Sequence, residues 1–147
     1  MVKVLYVEDQ PSQRELINQL LKLASIDVEL AGNGVIGYEK AKAGHPDVIL
    51  MDLKMPQMDG FQTIEKIRSD PEITDIPILV LSAWTNSKNE KRALDLGADR
   101  CIAKPFDMDQ LLEAIQEAGE VGSSEEIKKK YKKKIENESQ QEIREEP

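Results

Sequence analysis

The chain has 147 residues, 39% of them hydrophobic, and a formal net charge of −8 at pH 7. That length suits one domain plus a small appendage, able to bury a core without disulfides; the single Cys101 excludes an internal disulfide and fits a reducing compartment. The acidic balance argues against nonspecific nucleic-acid binding, no stretch approaches the ~18–20 apolar residues of a membrane span, and the opening from Met1 to Asp9 lacks the pattern of a signal peptide; a soluble cytoplasmic protein is expected.

Five short apolar runs alternate with helical patterns. The first expected strand, Val2 to Val7, is closed by Glu8-Asp9. Leu16, Ile17, Leu20 and Leu21 then repeat at helical spacing. A second strand spans Asp27 to Leu30. Gly32 and Asn33 punctuate it and open a helix marked weakly by Val35, Ile36 and Ala41, which Gly44 closes. The third strand, Asp47 to Met51, lies between Pro46 and Pro56 and ends abruptly at Asp52. A turn-rich stretch follows, and Asp59 caps a helix carrying Phe61, Ile64 and Ile67. The fourth strand, Pro77 to Leu81, ends at Ser82. Asn86 to Leu96 is polar and has the poorest helical periodicity. After Gly97 comes the fifth strand, Arg100 to Ala103, then Lys104-Pro105. Asp107 caps a last helix built on Leu111, Leu112 and Ile115, with Gly119 at its end.

Strands and helices alternating at this spacing imply an α/β fold with parallel strands joined by right-handed crossovers. Val48 to Met51 and Ile78 to Leu81 are apolar without alternation, as when helices cover both faces of a sheet. The folded unit is expected to be residues 1–119. Residues 120–147 form a charged tail, helical or disordered and too short for a second domain. Ser123 and Glu126 have capping-box spacing, and Glu125/Lys129, Glu126/Lys130 and Lys132/Glu136 are i,i+4 pairs. Ile127, Tyr131 and Ile135 make one narrow apolar stripe. The lysines of 128–134 surround such a helix rather than forming one face, so a solvated helix is favoured over a membrane or nucleic-acid contact.

In a parallel sheet the groups that follow the strands share the carboxyl edge, where open α/β sheets place their chemistry. Glu8 and Asp9, Asp52, Ser82 and Lys104 all fall there. Three carboxylates at close range repel, and one would be forced to protonate. A divalent cation removes the conflict, and Mg²⁺ is commonly held by one or two carboxylates plus a phosphate. Asp52 then stays ionised and can act as a nucleophile toward phosphorus. The cation and Lys104 neutralise charge on the phosphoryl oxygens, and the Ser82 hydroxyl can donate to one of them. The product is an acyl phosphate on Asp52.

Glu8-Asp9, Asp52 with Met55-Pro56 and Asp59-Gly60, Ser82-Ala83 and Lys104-Pro105-Phe106 resemble, in order and spacing, the response-regulator receiver domains of two-component signalling, the CheY-like family. The resemblance covers residues 1 to about 119. It implies a doubly wound five-stranded parallel sheet of order 2-1-3-4-5 with five flanking helices, and a cis Lys104–Pro105 bond. It implies that Asp52 accepts a phosphoryl group from a histidine kinase or histidine phosphotransfer protein. Asp9, Asp52 and the Lys54 main-chain carbonyl would hold Mg²⁺, with Glu8 acting through water, while Ser82 and Lys104 contact the phosphoryl group. It further implies a downstream protein target on the face of helix four, strand five and helix five, here including Arg92, Cys101 and Phe106. No direct DNA binding is expected.

One position departs from the family pattern. Cys101 stands where an aromatic residue usually precedes the lysine by three positions, and it is too small to fill the space vacated by a moving Ser82. Trp84 is a candidate substitute. His45, in a Gly-His-Pro turn, has no Cys or His partner for a metal site and reads as an exposed loop residue. Three other functions compete with this one. A haloacid-dehalogenase-like hydrolase would need a second acid two residues after Asp52, where Lys54 stands. A receiver fragment of a longer regulator or hybrid kinase would make the tail a linker. A phosphate-independent scaffold would have no use for Asp52 and Lys104. The expectation is a phosphorylation switch rather than a turnover enzyme.

Overall fold

The computed structural model describes residues 1–55, 58–83 and 86–121. Pro56, Trp84 and the 122–147 tail lie outside the described residues, and with them the expectations for the Trp84 switch and the tail helix.

Ten elements alternate along the chain: β1 (Lys3–Val7), α1 (Pro11–Leu23), β2 (Asp27–Ala31), α2 (Gly34–Gly44), β3 (Val48–Met51), α3 (Gly60–Ser69), β4 (Ile78–Ser82), α4 (Ser87–Leu96), β5 (Arg100–Ala103) and α5 (Met108–Val121). The strands are all parallel and lie in the order β2-β1-β3-β4-β5. The core has two layers, one on each face of the sheet. Val4, Tyr6, Leu50 and Leu81 pack with Ile17 and Leu21 of α1 and Leu111 and Ile115 of α5. Val7, Ile49, Met51 and Val80 face the other way, toward Ala41 of α2, Phe61, Ile64 and Ile67 of α3 and Ala93 of α4. Covered on both faces, β3 and β4 are buried at every residue, which explains their unbroken apolar runs. No described helix is long and apolar enough to cross a membrane.

The expected caps at Asn33 and Asp59 are present. Asn33 accepts from the Ile36 N–H, and Asp59 and Gln62 form a reciprocal capping box. The Asp107 carboxylate accepts from the Asp109 N–H at 2.9 Å. The Lys104–Pro105 bond is cis.

Three details differ from the sequence expectation. The buried face of α2 is Gly34, Gly37 and Ala41, while Val35 and Ile36 are exposed. A Cβ on Gly37 would come within 2.8 Å of Val7 Cγ2, so α2 lies too close to β1 for branched residues on that face. On α1 only Ile17 and Leu21 of the four predicted apolar residues are buried, and Leu16 is 56% exposed. The last helix runs through Gly119 to Val121, because Gly119 packs against Val2 instead of ending the helix. Phe106 packs with the α1–α5 layer, whereas Cys101 packs with the α2–α4 layer and Arg92 lies over the Phe61 ring at 4.0 Å.

Candidate functional site

The strand order places the site. From β1 the chain crosses outward to β2, then returns to β3 on the other side of β1, leaving a crevice beyond the carboxyl ends of those neighbours. The ladder continues one residue past the strands. The Glu8 N–H donates to the Ala31 carbonyl at 3.0 Å, the Asp52 N–H to Val7 at 3.1 Å, and the Lys104 N–H to Ser82 at 3.1 Å. The backbones of the chemical groups are thus held as firmly as the sheet itself. Behind Asp52 the Gly60 N–H donates to the Leu53 carbonyl at 2.9 Å. A Cβ on Gly60 would lie 2.2 Å from the Asp52 carbonyl oxygen, so only glycine lets α3 start this close to the strand end.

All five side chains predicted from the sequence come together. Carboxylate oxygens of Glu8, Asp9 and Asp52 lie within 4.8 Å of one another. Together with Gln10, Gln13, Lys54, Ser82, Ala83 and Lys104 they line a cleft of about 260 Å³. Glu8 is fully buried, Asp52 and Ser82 nearly so. Lys104 Nζ stands 3.6 Å from Glu8 Oε1. The Lys54 N–H reaches toward Asp52 Oδ1 at 3.4 Å.

The electrostatics are those of an acid cluster short of positive charge. The Glu8 carboxyl is pushed up to about 8 from its ordinary value of 4.5. Burial is the largest cause, followed by the adjacent Asp52 carboxyl, with Asp9 adding to it and Lys104 opposing. Both Glu8 oxygens are buried without a hydrogen-bond partner. An oxygen-only donor set with an orphaned buried carboxylate fits a hard divalent cation.

Sequence reasoning missed the α1 side of the cleft. Gln10 and Gln13 line it, and Gln13 Oε1 accepts a hydrogen bond from Lys104 Nζ at 2.6 Å. Arg14 Nη1 donates to the Glu8 carbonyl at 2.8 Å and so ties the acidic turn to the helix. Uncharged glutamines give no chemical signal in a sequence; their one clue is that α1 begins directly after Glu8-Asp9. Cys101 is half-buried, and burial first, then the Glu90 charge, pushes its thiol up to about 12. His45 is an exposed left-handed cap at the end of α2.

The family model described as a response regulator receiver domain matches residues 4–116. Among curated relatives, the chain is 34% identical over 116 residues to the "DNA-binding dual master transcriptional regulator RpaA" of Synechocystis, covering 79% of this chain and 48% of RpaA. It is 35% identical over 115 residues to the response regulator MprA of Mycobacterium leprae, covering 78% and 50%. The chain thus spans about half the length of the curated relatives it matches. Among solved structures, the chemotaxis protein CheY4 of Vibrio cholerae superposes with a TM-score of 0.75 at 33% identity, over 80% of this chain and 98% of that one. The receiver domain of the sensor histidine kinase PA1611 from Pseudomonas aeruginosa, with magnesium coordinated in its active-site cleft, superposes with a TM-score of 0.74 at 28% identity, over 79% and 95%.

Proposed function

The chain belongs to the response regulator receiver domains of two-component systems, and on that premise we propose that Asp52 is its phosphoacceptor. The observation carrying this reading is the convergence, at the ends of adjacent parallel strands, of three carboxylates within 4.8 Å and one lysine at their rim.

In the proposed reaction an Asp52 carboxylate oxygen forms a bond to phosphorus as the P–N bond of a donor phosphohistidine breaks. The imidazole leaves with the electron pair and takes up a proton. Lys104 supplies positive charge to the phosphoryl oxygens, and the Ser82 hydroxyl donates a hydrogen bond to one of them. Asp9, Asp52 and the Lys54 carbonyl would hold Mg²⁺, with Glu8 reaching it through water; the residues fit that ion, and the magnesium in the PA1611 receiver supports it. Bound there, the ion supplies charge neutralisation at the phosphoryl oxygens and lets the crowded carboxylates stay ionised. Asp52 is modified once per cycle, so the domain acts as a switch rather than a turnover enzyme, and no second acid stands at Lys54 to protonate a leaving group.

The partners proposed are a histidine kinase or histidine phosphotransfer protein upstream and a protein target downstream, on the α4–β5–α5 side. DNA is not proposed as a partner of residues 1–119: α5 carries Asp109, Glu113, Glu117 and Glu120 and no basic residue. That RpaA binds DNA is said of RpaA, and the match reaches 48% of its length. The same half-length match favours one second reading, in which residues 1–119 are the receiver portion of a longer regulator and 120–147 a linker. A reading frame running on past Pro147 would support it.

The test is incubation of the full chain with a small acyl-phosphate donor and Mg²⁺, followed by intact mass. One phosphoryl group should be gained, and the gain should vanish in Asp52→Asn and with chelator. A gain that survives Asp52→Asn would refute the assignment.

A further inference from the structure

Gln13 and Lys104 line two cavities at once. One is the acidic cleft. The other is an apolar groove of about 320 Å³ beside it, which also takes in Leu16, Leu20, Phe106 and Met108. At the shared wall, the Gln13 carboxamide oxygen accepts from Lys104 Nζ at 2.6 Å, across 91 positions of sequence. The same ammonium stands 3.6 Å from Glu8 Oε1, and its ion pair is with Glu8 rather than with Asp52.

A lysine ammonium has three N–H donors and no acceptor. It ends a flexible four-carbon stem that many rotamers can place. Two groups meet it where it stands, the Glu8 carboxylate at 3.6 Å and, closer, the Gln13 carboxamide at 2.6 Å. We propose that Gln13 is the positioning residue for Lys104. Its carboxamide takes one N–H on the α1 side and fixes the charge at the wall of the cleft, leaving the other N–H groups facing Glu8 and the space above Asp52. An amide suits this task because it orients the ammonium without adding a fourth negative charge to the site. The proposal rests on the reading of Asp52 as phosphoacceptor, because the held lysine is there to meet a phosphoryl group.

The test compares the 147-residue chain with Gln13→Met, which keeps length but removes the acceptor, and Gln13→Glu, which keeps an acceptor oxygen. Two quantities are read: the maximal rate of phosphorylation by a small acyl phosphate with Mg²⁺, and the ¹⁵N-detected ammonium signal of Lys104, which a persistent hydrogen bond keeps visible. In Gln13→Met the rate should fall about three- to tenfold, because exposure to solvent holds this bond to the size of an ordinary one. The Lys104 signal should broaden away while the backbone amide spectrum stays in place, and Gln13→Glu should restore the signal. A wild-type rate and an unchanged signal in Gln13→Met would overturn the proposal. So would a loss of rate accompanied by shifts throughout the amide spectrum, which would mark a merely structural residue. If wild type itself takes no phosphoryl group, the reading of Asp52 fails; the Lys104 signal then still decides whether Gln13 holds the lysine.

Discussion

Replacing Glu8 with Gln isolates the strain of gathering three acids at one sheet edge. Glu8 is fully buried, and its carboxyl is pushed from 4.5 to about 8. A carboxyl raised in the folded state leaves stability intact below its unfolded value. Stability is then lost as pH climbs from about 4.5 to about 8, because the unfolded chain releases the proton first. At ~1.36 kcal/mol per pH unit, the loss is at most ~5 kcal/mol above pH 8. The glutamine must still bury an amide without partners, at ~1–3 kcal/mol, and Lys104 loses its ion pair. The expected net gain for Glu8→Gln is about 2 kcal/mol near pH 8 in chelator; near pH 5, where wild type has lost less than ~1 kcal/mol, the amide penalty makes Glu8→Gln the less stable protein by about 1 kcal/mol. Urea unfolding at both pH values measures it. Mg²⁺ should stabilise wild type by mass action and Glu8→Gln less. Parallel loss of stability in both proteins as pH rises, or a wild type more stable than Glu8→Gln near pH 8 without metal, would refute the reasoning.

Three further outcomes follow from the packing. Gly60→Ala would drive a Cβ to within 2.2 Å of the Asp52 carbonyl oxygen and 2.6 Å of Leu53 Cα, both backbone atoms; a loss of more than ~3 kcal/mol is expected by denaturant titration, together with weaker Mg²⁺ binding. Asp99→Ala removes the buried carboxylate that Arg68 Nη2 meets at 2.9 Å and the Ile78 N–H at 2.8 Å. Leaving that guanidinium without its carboxylate, though still bonded to the Gly97, Thr74 and Ile76 carbonyls, should destabilise by ~3 kcal/mol, read as a lowered urea midpoint. Cys101, with its thiol pushed up to about 12 and half-buried, should react with an aromatic disulfide reagent at least about tenfold more slowly in the native than in the unfolded protein; equal rates would contradict that burial.

Much of this could be read from the chain because the strongest signals were local. An apolar run such as Val48 to Met51, closed by Asp52, needs no partner to be recognised, and the regular alternation made the strands parallel and put their ends at one edge. What escaped depended on contacts between distant segments. The buried face of α2 is Gly34, Gly37 and Ala41, so its apolar periodicity vanished although the helix is well packed. The α4 helix buries only Ala93 and is held by the Asn86 cap, which left little to detect. The Gln13–Lys104 hydrogen bond joins a neutral side chain to one 91 positions away. The Arg68–Asp99 clamp likewise links residues that look like ordinary surface charges until β4 and β5 are side by side.

Gly119 rests on Val2, at the amino end of the sheet, whereas the acidic crevice opens at its carboxyl end. A five-residue strand separates these poles by about 16 Å. The carboxyl end of α5 therefore lies on the underside of the domain, about one strand length from the aspartate. News of an added phosphoryl group would have to pass down through the layers of side chains to reach that end of the helix.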